Sequence, residues 1–166
     1  MPSKNALSAD NQQERLEGWI VGFVDGEGCF SVSIIKNSTT KSGWQIFPEF
    51  VVTQGERSID SLFIIKKYFD CGKIYINRRK DNHKENICRY CVRSIHELSD
   101  KIIPFFQKNR LQTAKKSDFG KFVTIIRMIK EKEHLKNSGK IKIAKIIQEM
   151  NRRVPSRFLE SSETTR

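Results

Sequence analysis

Three glycines recur every four residues in the first predicted helix, and this spacing restricts what the helix can pack against. The apolar residues of 14–26 follow the helical period, and Gly18, Gly22 and Gly26 fall along one side of that helix. Each glycine inside a helix costs about 0.5–1 kcal/mol relative to alanine. Three on one stripe therefore indicate a compensating gain, which is the close approach of another backbone, as in GxxxG pairs of membrane helices. A glycine-rich turn is the alternative interpretation of Gly22 and Gly26, but it leaves Gly18 unexplained.

Two acidic residues follow the stripe at the end of the same helix. In Asp25-Gly26-Glu27-Gly28 the carboxylates lie beside the negative end of the helix dipole, which costs about 0.3–1 kcal/mol. A divalent cation would resolve this conflict, because Mg²⁺ prefers carboxylate and carbonyl oxygens. A solvated turn is the other interpretation of these four residues.

The charge balance of the whole chain makes a polyanion the expected partner. There are 31 Lys and Arg against 19 Asp and Glu in 166 residues, a net charge of +12. DNA, RNA or an anionic membrane surface would neutralise this charge. No apolar run approaches the roughly 18 residues of a membrane span, so nucleic acid is favoured and no membrane partner is expected.

Four cysteines without a secretory signal indicate a reducing compartment. Cys88 and Cys91 form a single CxxC, and a zinc site would need a second pair with similar spacing. Their segment also has the pattern of a strand, on which an offset of three puts the two thiols on opposite faces. Packed, free cysteines are therefore favoured over a metal site.

The hydrophobic pattern predicts two antiparallel hairpins covered by helices on one face. The predicted elements are a helix at 14–26, strands at 29–36 and 44–54, a helix at 58–69 ending at Gly72, strands at 73–79 and 87–94, and helices from 94 to Pro104, at 117–133 and at 140–152. This α-β-β-α-β-β-α order, with further C-terminal helices, defines an α+β fold whose sheet leaves its other face open.

Three local signals refine this arrangement. Pro48 cannot donate to a ladder and predicts a bulge or an unpaired stretch in its strand. Ser94 and Glu97 match a capping box at a helix start. The polar ends predict a mobile arm at 1–13 and a loose polar tail at 154–166, on either side of one domain at 14–153.

The first helix and the strand that follows it resemble the start of the LAGLIDADG homing endonucleases. The residues that carry the resemblance are Ile20-Val21-Gly22-Phe23-Val24-Asp25-Gly26-Glu27-Gly28. The similarity continues at 29–34, 52–54, 103–106 and 115–119. One copy of the motif is present, so the resemblance implies a homodimer. It further implies a saddle-like antiparallel four-stranded sheet and an intron-encoded enzyme that makes a Mg²⁺-dependent, staggered double-strand break in a long DNA target.

The resemblance also implies roles for individual residues. Glu27 matches the acid that each motif helix brings to the DNA, and with the carbonyl of Gly26 it would hold Mg²⁺. Gln54 matches a polar residue that positions the attacking water, Lys115 matches a basic residue that stabilises charge on the phosphate, and Arg57 is a poorer match for a helper of Lys115. A strand-end polar residue and a surface lysine are the plain alternatives for Gln54 and Lys115. The expected dimer interface contains Gly18, Trp19, Val21, Gly22 and Asp25, the last with a structural role.

Polar side chains of the four strands alternate onto the face opposite the helices. Their varied donors and acceptors suit direct readout in the major groove, while nearby Lys and Arg hold phosphates. A solvated charged face is the alternative for any one of them. The expected DNA-contacting residues, on this face or in the adjoining turn, are Ser31, Ser33, Asn37, Gln45, Glu49, Tyr75, Asn77, Arg79, Arg89 and Arg93.

Two other functions fit parts of the pattern. An RNA maturase or a DNA-binding regulator would keep the fold without cleavage, and the basic late helices favour RNA binding, whereas the set of Glu27, Gln54 and Lys115 favours an enzyme. A structural RNA-binding protein explains the charge but not the glycine stripe. Abundant Lys, Ile and Asn indicate an AT-rich genome. We expect an intracellular protein made and used in one compartment, either a chloroplast or mitochondrion or a bacterial cytoplasm.

Overall fold

A computed structural model describes residues 4–78, 85–151 and 156–163, with side chains over 10–78, 85–151 and 156–160. Its helices and strands follow the predicted order and confirm the α+β class. They are α1 (Lys4–Glu27), β1 (Gly28–Lys36), β2 (Trp44–Gly55), α2 (Ile59–Phe69), β3 (Lys73–Asn77), β4 (Ile87–Val92), α3 (Ile95–Glu97), α4 (Ile103–Lys108), α5 (Lys115–Lys130), α6 (Asn137–Gln148) and α7 (Arg157–Glu163). No helix in these ranges has the length and apolar character needed to cross a membrane.

The four strands form one antiparallel sheet in the order β1-β2-β4-β3. The β1–β2 register runs without interruption from the Gly28–Val52 pair to the Lys36–Trp44 pair, so of the bulge or unpaired stretch predicted at Pro48 the bulge is absent. Pro48 pairs with Val32 in a part of β2 that lies beyond the residues paired with β4. Because β2 has one unpaired edge there, a proline is tolerated in the strand.

Phenylalanine rings fill the space between the sheet and the helices. Phe30 of β1 is fully buried, and its ring centroid lies 5.0–5.5 Å from those of Phe50, Phe106, Phe119 and Phe122. Each such aromatic pair adds about 0.5–1.5 kcal/mol beyond its buried area. The apolar alternate residues of the strands therefore define the covered face.

The CxxC segment shows the alternation of the sheet directly. Cys88 pairs with Ile76 and lies on the helix-covered side, whereas Cys91 pairs with Lys73 on the opposite side. The two thiols therefore point away from each other, as predicted, and both are free and buried.

Both ends of the chain contain more helix than the sequence predicts. The first helix begins at Lys4 rather than at residue 14, so most of the expected arm is helical. The expected tail contains α7, whose Phe158 is buried and meets the Trp44 ring edge-on at a centroid distance of 5.4 Å. That contact joins residues far apart in sequence, which local patterning does not predict.

The remaining helix boundaries are set by identifiable local features. Ser94 Oγ accepts a hydrogen bond from the Glu97 amide at 3.3 Å, which confirms the predicted cap. A π-helical turn, Leu98–Ile102, precedes α4 and provides the irregularity expected near Pro104. Asp70 ends α2 in a left-handed conformation, two residues before the predicted stop at Gly72.

The N-terminal end of α6 packs so tightly that a Cβ on Gly139 would lie 2.0 Å from the Glu133 carbonyl oxygen.

Candidate functional site

The glycine stripe of α1 faces away from the core of its own chain. Gly18, Gly22 and Gly26 are exposed, and a Cβ added to any of them would meet nothing within 4 Å. The opposite side of the helix is fully buried at Ile20 and Val24. The packing of the single chain therefore does not require these three glycines.

The other residues predicted at a dimer interface lie around this stripe. Trp19 is 38% exposed and stacks on Phe23 with a centroid distance of 5.0 Å. Val21 and Asp25 are partly buried. The exposed surface of α1 is therefore a strip of backbone flanked by one large aromatic side chain.

The carboxylate of Asp25 is bound within its own chain. Asp25 Oδ2 accepts from the Gln112 amide at 2.7 Å, and Oδ1 accepts from the Thr113 amide at 3.2 Å and the Thr113 hydroxyl at 2.7 Å. Burial alone would raise the pKa of Asp25, but these hydrogen bonds and the charge of Lys115 hold it below its ordinary value. Asp25 therefore fastens the end of α1 to the segment before α5, in agreement with a structural role.

We expect Asp25→Ala to lower the free energy of unfolding by about 1–2 kcal/mol near neutral pH, because hydrogen bonds to a charged group are lost. The folded-state pKa of Asp25 lies below its ordinary 3.8, so its contribution is present above that pH and disappears as the pH falls through the folded value. Urea unfolding at neutral and acidic pH measures the difference. Asp10→Ala, at an exposed site on the same helix, is the matched control. A deficit equally large in strong acid would contradict this assignment.

Glu27 is the last residue of α1 and is exposed to solvent. Within the described residues, no hydrogen bond or ion pair occupies its carboxylate. The neighbouring Gly26 is also exposed, so its carbonyl group lies beside an accessible acid. The two groups together offer hard oxygen donors at the end of the helix.

Lys115, the first residue of α5, caps the C-terminal end of α1. Its Nζ donates to the carbonyl oxygens of Val24 at 2.8 Å and Asp25 at 3.0 Å. Burial lowers the pKa of Lys115, while the charges of Cys29, Asp25 and Glu27 oppose this shift. The ammonium group therefore offsets the unfavourable helix dipole next to Glu27, which is the conflict that the sequence shows.

Gln54 lies at the same end of the sheet, and Arg57 is turned elsewhere. Gln54 follows Val52, the partner of Gly28, by two residues, so it is close to the junction of α1 and β1. The Arg57 side chain is 89% exposed and pairs with Glu85, with Nε and Oε1 3.3 Å apart. Glu85 Oε1 also accepts from the Arg57 amide at 2.7 Å, and these bonds lower the pKa of Glu85. The structure thus places Lys115 at the end of α1 that carries Glu27, sets Gln54 near the junction of α1 and β1, and directs Arg57 towards Glu85.

The end of α1 supplies two oxygen donors for a divalent ion, fewer than such an ion needs. In the part of the chain that the structure describes, no three His, Cys, Asp or Glu side chains are grouped to hold a metal. Mg²⁺ takes six oxygen ligands and keeps several waters, with the rest from carboxylates and phosphates. Glu27 and the Gly26 carbonyl therefore suit an ion that a phosphate group also binds.

The sheet face opposite the helices carries an arginine pair held by a buried acid. Glu49 is 7% exposed, and its two carboxylate oxygens accept from Arg89 at 3.1 Å and from Arg93. The Arg93 guanidinium lies 5.3 Å from the Phe47 ring centroid and 5.4 Å from that of Tyr75. We expected Glu49 itself to contact DNA, but both of its oxygens are taken, so it positions the two arginines.

The strand register places the other predicted contact residues on this same face. Ser31 pairs with Glu49, Tyr75 with Arg89, Gln45 with Ile35 and Asn77 with Ile87. Ser33 and Asn77 are exposed, and Asn37 Nδ2 in the turn donates to Gln45 Oε1 at 2.7 Å. Arg79 lies outside the described residues. Strand alternation could also have identified further members that the sequence analysis omits, namely Cys29, Phe47, Thr53 and Lys73.

We expect Glu49→Gln to release the two arginines and to strengthen binding to a random-sequence DNA duplex. A released arginine can neutralise one more phosphate, so the salt dependence of the binding constant should steepen by about 0.9 per added contact. Fluorescence anisotropy over a range of salt concentrations measures this slope. Glu131→Gln removes the same charge from an exposed site outside the strands and should leave the slope unchanged. A shallower slope in Glu49→Gln would mean that Glu49 is needed to present the arginines.

The fold has helices on one side of the sheet, an open polar sheet face and a glycine-rich helix that ends in an acid. These features define the class of fold that the sequence resembles. Residues 20–126, well over half of the chain, match the family model described as LAGLIDADG endonuclease. The chain belongs to this family.

Solved and curated relatives agree with this assignment. The crystal structure of the homing endonuclease I-TnaI has a TM-score of 0.78 and 39% identity, covering 90% of this chain and 97% of that one. I-LtrWI, solved bound to target DNA, has a TM-score of 0.81 and 35% identity, covering 90% of this chain and 48% of that one. "Probable intron-encoded endonuclease 2" of Neurospora crassa is 33% identical over 86% of this chain and 28% of its own length. The chain spans roughly a quarter of the first curated relatives that it matches.

Proposed function

We propose that this protein is an intron-encoded, site-specific DNA endonuclease that acts as a homodimer and makes a staggered double-strand break with Mg²⁺. The observation that carries the proposal is the unoccupied carboxylate of Glu27 at the end of a helix whose outward stripe is open backbone. An accessible acid at the C-terminal end of a helix is unfavourable by itself, because it lies at the negative end of the helix dipole. A metal ion and a phosphate beside it would compensate this cost and use the acid as a ligand.

The glycine stripe supports pairing between two copies of the chain. A second α1 can approach closely at Gly18, Gly22 and Gly26, since the space that a Cβ would fill is empty. This chain also corresponds to about half of the I-LtrWI chain, so two copies match the longer protein in size. Pairing along the stripe brings the two Glu27 residues near one another, one for each DNA strand.

The residues around Glu27 have separate tasks in the proposed reaction. Glu27 and the Gly26 carbonyl would hold the divalent ion, which when bound lowers the pKa of water and stabilises a leaving oxygen. An ammonium group has three N–H donors. Lys115 donates two of them to the carbonyl oxygens of Val24 and Asp25, so the third can donate to a phosphate oxygen. The Gln54 amide orients the attacking water, and Arg57 assists only after it leaves Glu85.

Substrate binding is assigned to the polar sheet face. Arg89 and Arg93 are held in place by Glu49, which supports their use in bidentate contacts to guanine edges in the major groove. Ser33, Tyr75 and Asn77 add hydrogen-bonding groups along the same face. This face would hold a long duplex while the paired α1 helices lie across its centre.

A cleavage assay tests the proposal. The purified protein is incubated with Mg²⁺ and an intron-lacking copy of its host gene, and the products are examined for one discrete double-strand cut. DNA binding without cutting would support a DNA-binding regulator in place of an enzyme, and selective binding of the intron RNA would support a maturase. Residence in an organelle or in a bacterial cytoplasm remains part of the proposal, supported by the intron-encoded relatives.

A further inference from the structure

A cavity of about 610 Å³ lies between the outer half of the β1–β2 hairpin and the connection from α5 to α6. Its apolar wall includes Trp44, Phe47 and Ile129. Its basic residues are Lys41, Arg93, His134 and Lys140, and no acidic side chain among the described residues lines it. The cavity therefore combines flat apolar surface with basic side chains, of which Arg93 is already paired with Glu49.

Lys140 contributes a charge that has no partner within the described chain. The residue is only 6% exposed, although lysine is almost never so buried without an acid or another acceptor. Burial of the methylene stem explains part of this, since the apolar part of a lysine packs well while its ammonium reaches solvent. The ammonium group of Lys140 reaches solvent in the interior of the cavity, where a bound anion would compensate its charge.

His134 presents a second unpartnered group at the same wall. Its Nδ1 is buried and has no hydrogen-bond partner among the described residues. Burial lowers the pKa of His134, and the nearby charge of Lys140 lowers it further, while a hydrogen bond with the Ile129 backbone opposes the shift. The charge of Lys140 thus disfavours a charge on His134 in the unliganded protein, and a bound anion would relieve this effect.

Arg93 links the cavity to the polar sheet face. Its guanidinium lies over the Phe47 and Tyr75 rings on that face and also lines the cavity, together with Gln45 and Phe47. The mouth of the cavity is therefore beside the surface assigned to DNA, at the outer end of the hairpin. The cavity has the volume of about 20 water molecules, which is enough for a phosphate group with its attached sugar.

We propose that this cavity is a phosphate-binding subsite in which Lys140 and His134 hold a phosphate ester, supplied either by the DNA backbone beyond the base-reading strands or by a free nucleotide. The subsite lies outside the cluster of Glu27, Gln54 and Lys115. Its occupancy is measured as binding, so its failure is distinguishable from a loss of cleavage.

The first test uses the unaltered protein and the NMR signals of the His134 ring. At constant ionic strength, inorganic phosphate, a nucleoside monophosphate and a random-sequence duplex are added in turn. Each probe that occupies the subsite should raise the pKa of His134, because an anion then offsets the charge of Lys140. A rise with the duplex alone identifies DNA as the source, and a rise with the two small phosphates alone identifies a free nucleotide. No rise with any of the three overturns the proposal.

The second test compares Lys140→Gln with Lys142→Gln, which removes the same charge from an exposed position on the same helix. Lys140→Gln should abolish the shift of His134. If the phosphate belongs to DNA, the salt slope of duplex binding should also become shallower by about 0.9. Lys142→Gln should preserve the shift of His134. Equal behaviour of the two variants would overturn the proposal, and Lys140→Met provides a second removal of the charge if the first variant fails to fold.

Discussion

Glu27→Gln is expected to lower the rate of DNA cleavage by at least about 10³-fold, while the affinity for DNA stays within about twofold of that of the unaltered protein. A loss of this size corresponds to about 4 kcal/mol of activation free energy. The amide keeps the shape of the side chain but removes the negative charge that would hold the divalent ion. No described residue bonds to the Glu27 carboxylate, so the melting temperature should be unchanged.

Single-turnover cleavage and fluorescence anisotropy, each with Mg²⁺, measure the two quantities for Glu27→Gln. Glu14→Gln is the matched control, because it removes an equal charge from an exposed site on the same helix. The control should retain both cleavage and affinity. Cleavage by Glu27→Gln at a rate close to that of the unaltered protein would remove this residue from the reaction.

Gly22→Leu is expected to convert the protein to a monomer and to abolish double-strand cleavage with it. The new side chain meets no atom of its own chain, so each monomer should fold normally. Leucine is also the better helix former, by about 0.5–1 kcal/mol, which favours the folded monomer. The side chain would instead hold a second α1 away, because it fills the space through which two backbones approach each other.

Sedimentation equilibrium of Gly22→Leu and of Gly120→Leu measures this effect. Gly120 lies in α5 and is exposed, and a Cβ added to it would likewise meet nothing within 4 Å, so its substitution gives the same gain in helix propensity. The Gly120 variant should keep the mass and activity of the unaltered protein. A dimeric and active Gly22→Leu protein would show that the stripe is not the contact surface.

The sheet and the position of Glu27 at the end of α1 could be predicted because their signals are local. Alternation of apolar residues along 29–36 and 44–54 set the first hairpin. Of the two alternatives predicted at Pro48, the unpaired edge is present and the bulge is not. The position of Glu27 followed from the end of a helical pattern and the start of a strand pattern within a few residues. Such signals need no knowledge of distant parts of the chain.

Contacts between distant segments were not predictable in this way. The partners of Asp25 lie 87 and 88 residues further along the chain, and no local pattern marks them. Strand alternation placed Glu49 on the correct face but could not show that two arginines bury it. The helix at the C-terminal end escaped prediction because its buried Phe158 packs against Trp44 of β2, which is distant in sequence.

A mixed dimer tests most directly the central claim that two copies of α1 pair and bring one acid to each DNA strand. Unaltered and Glu27→Gln chains with different affinity tags are produced together, and the species carrying both tags is purified. On a supercoiled plasmid that contains the target, this species should cut one strand and produce a nicked circle, whereas the unaltered dimer produces linear DNA. Linear product from the mixed species, or the absence of any species with both tags, would contradict the account.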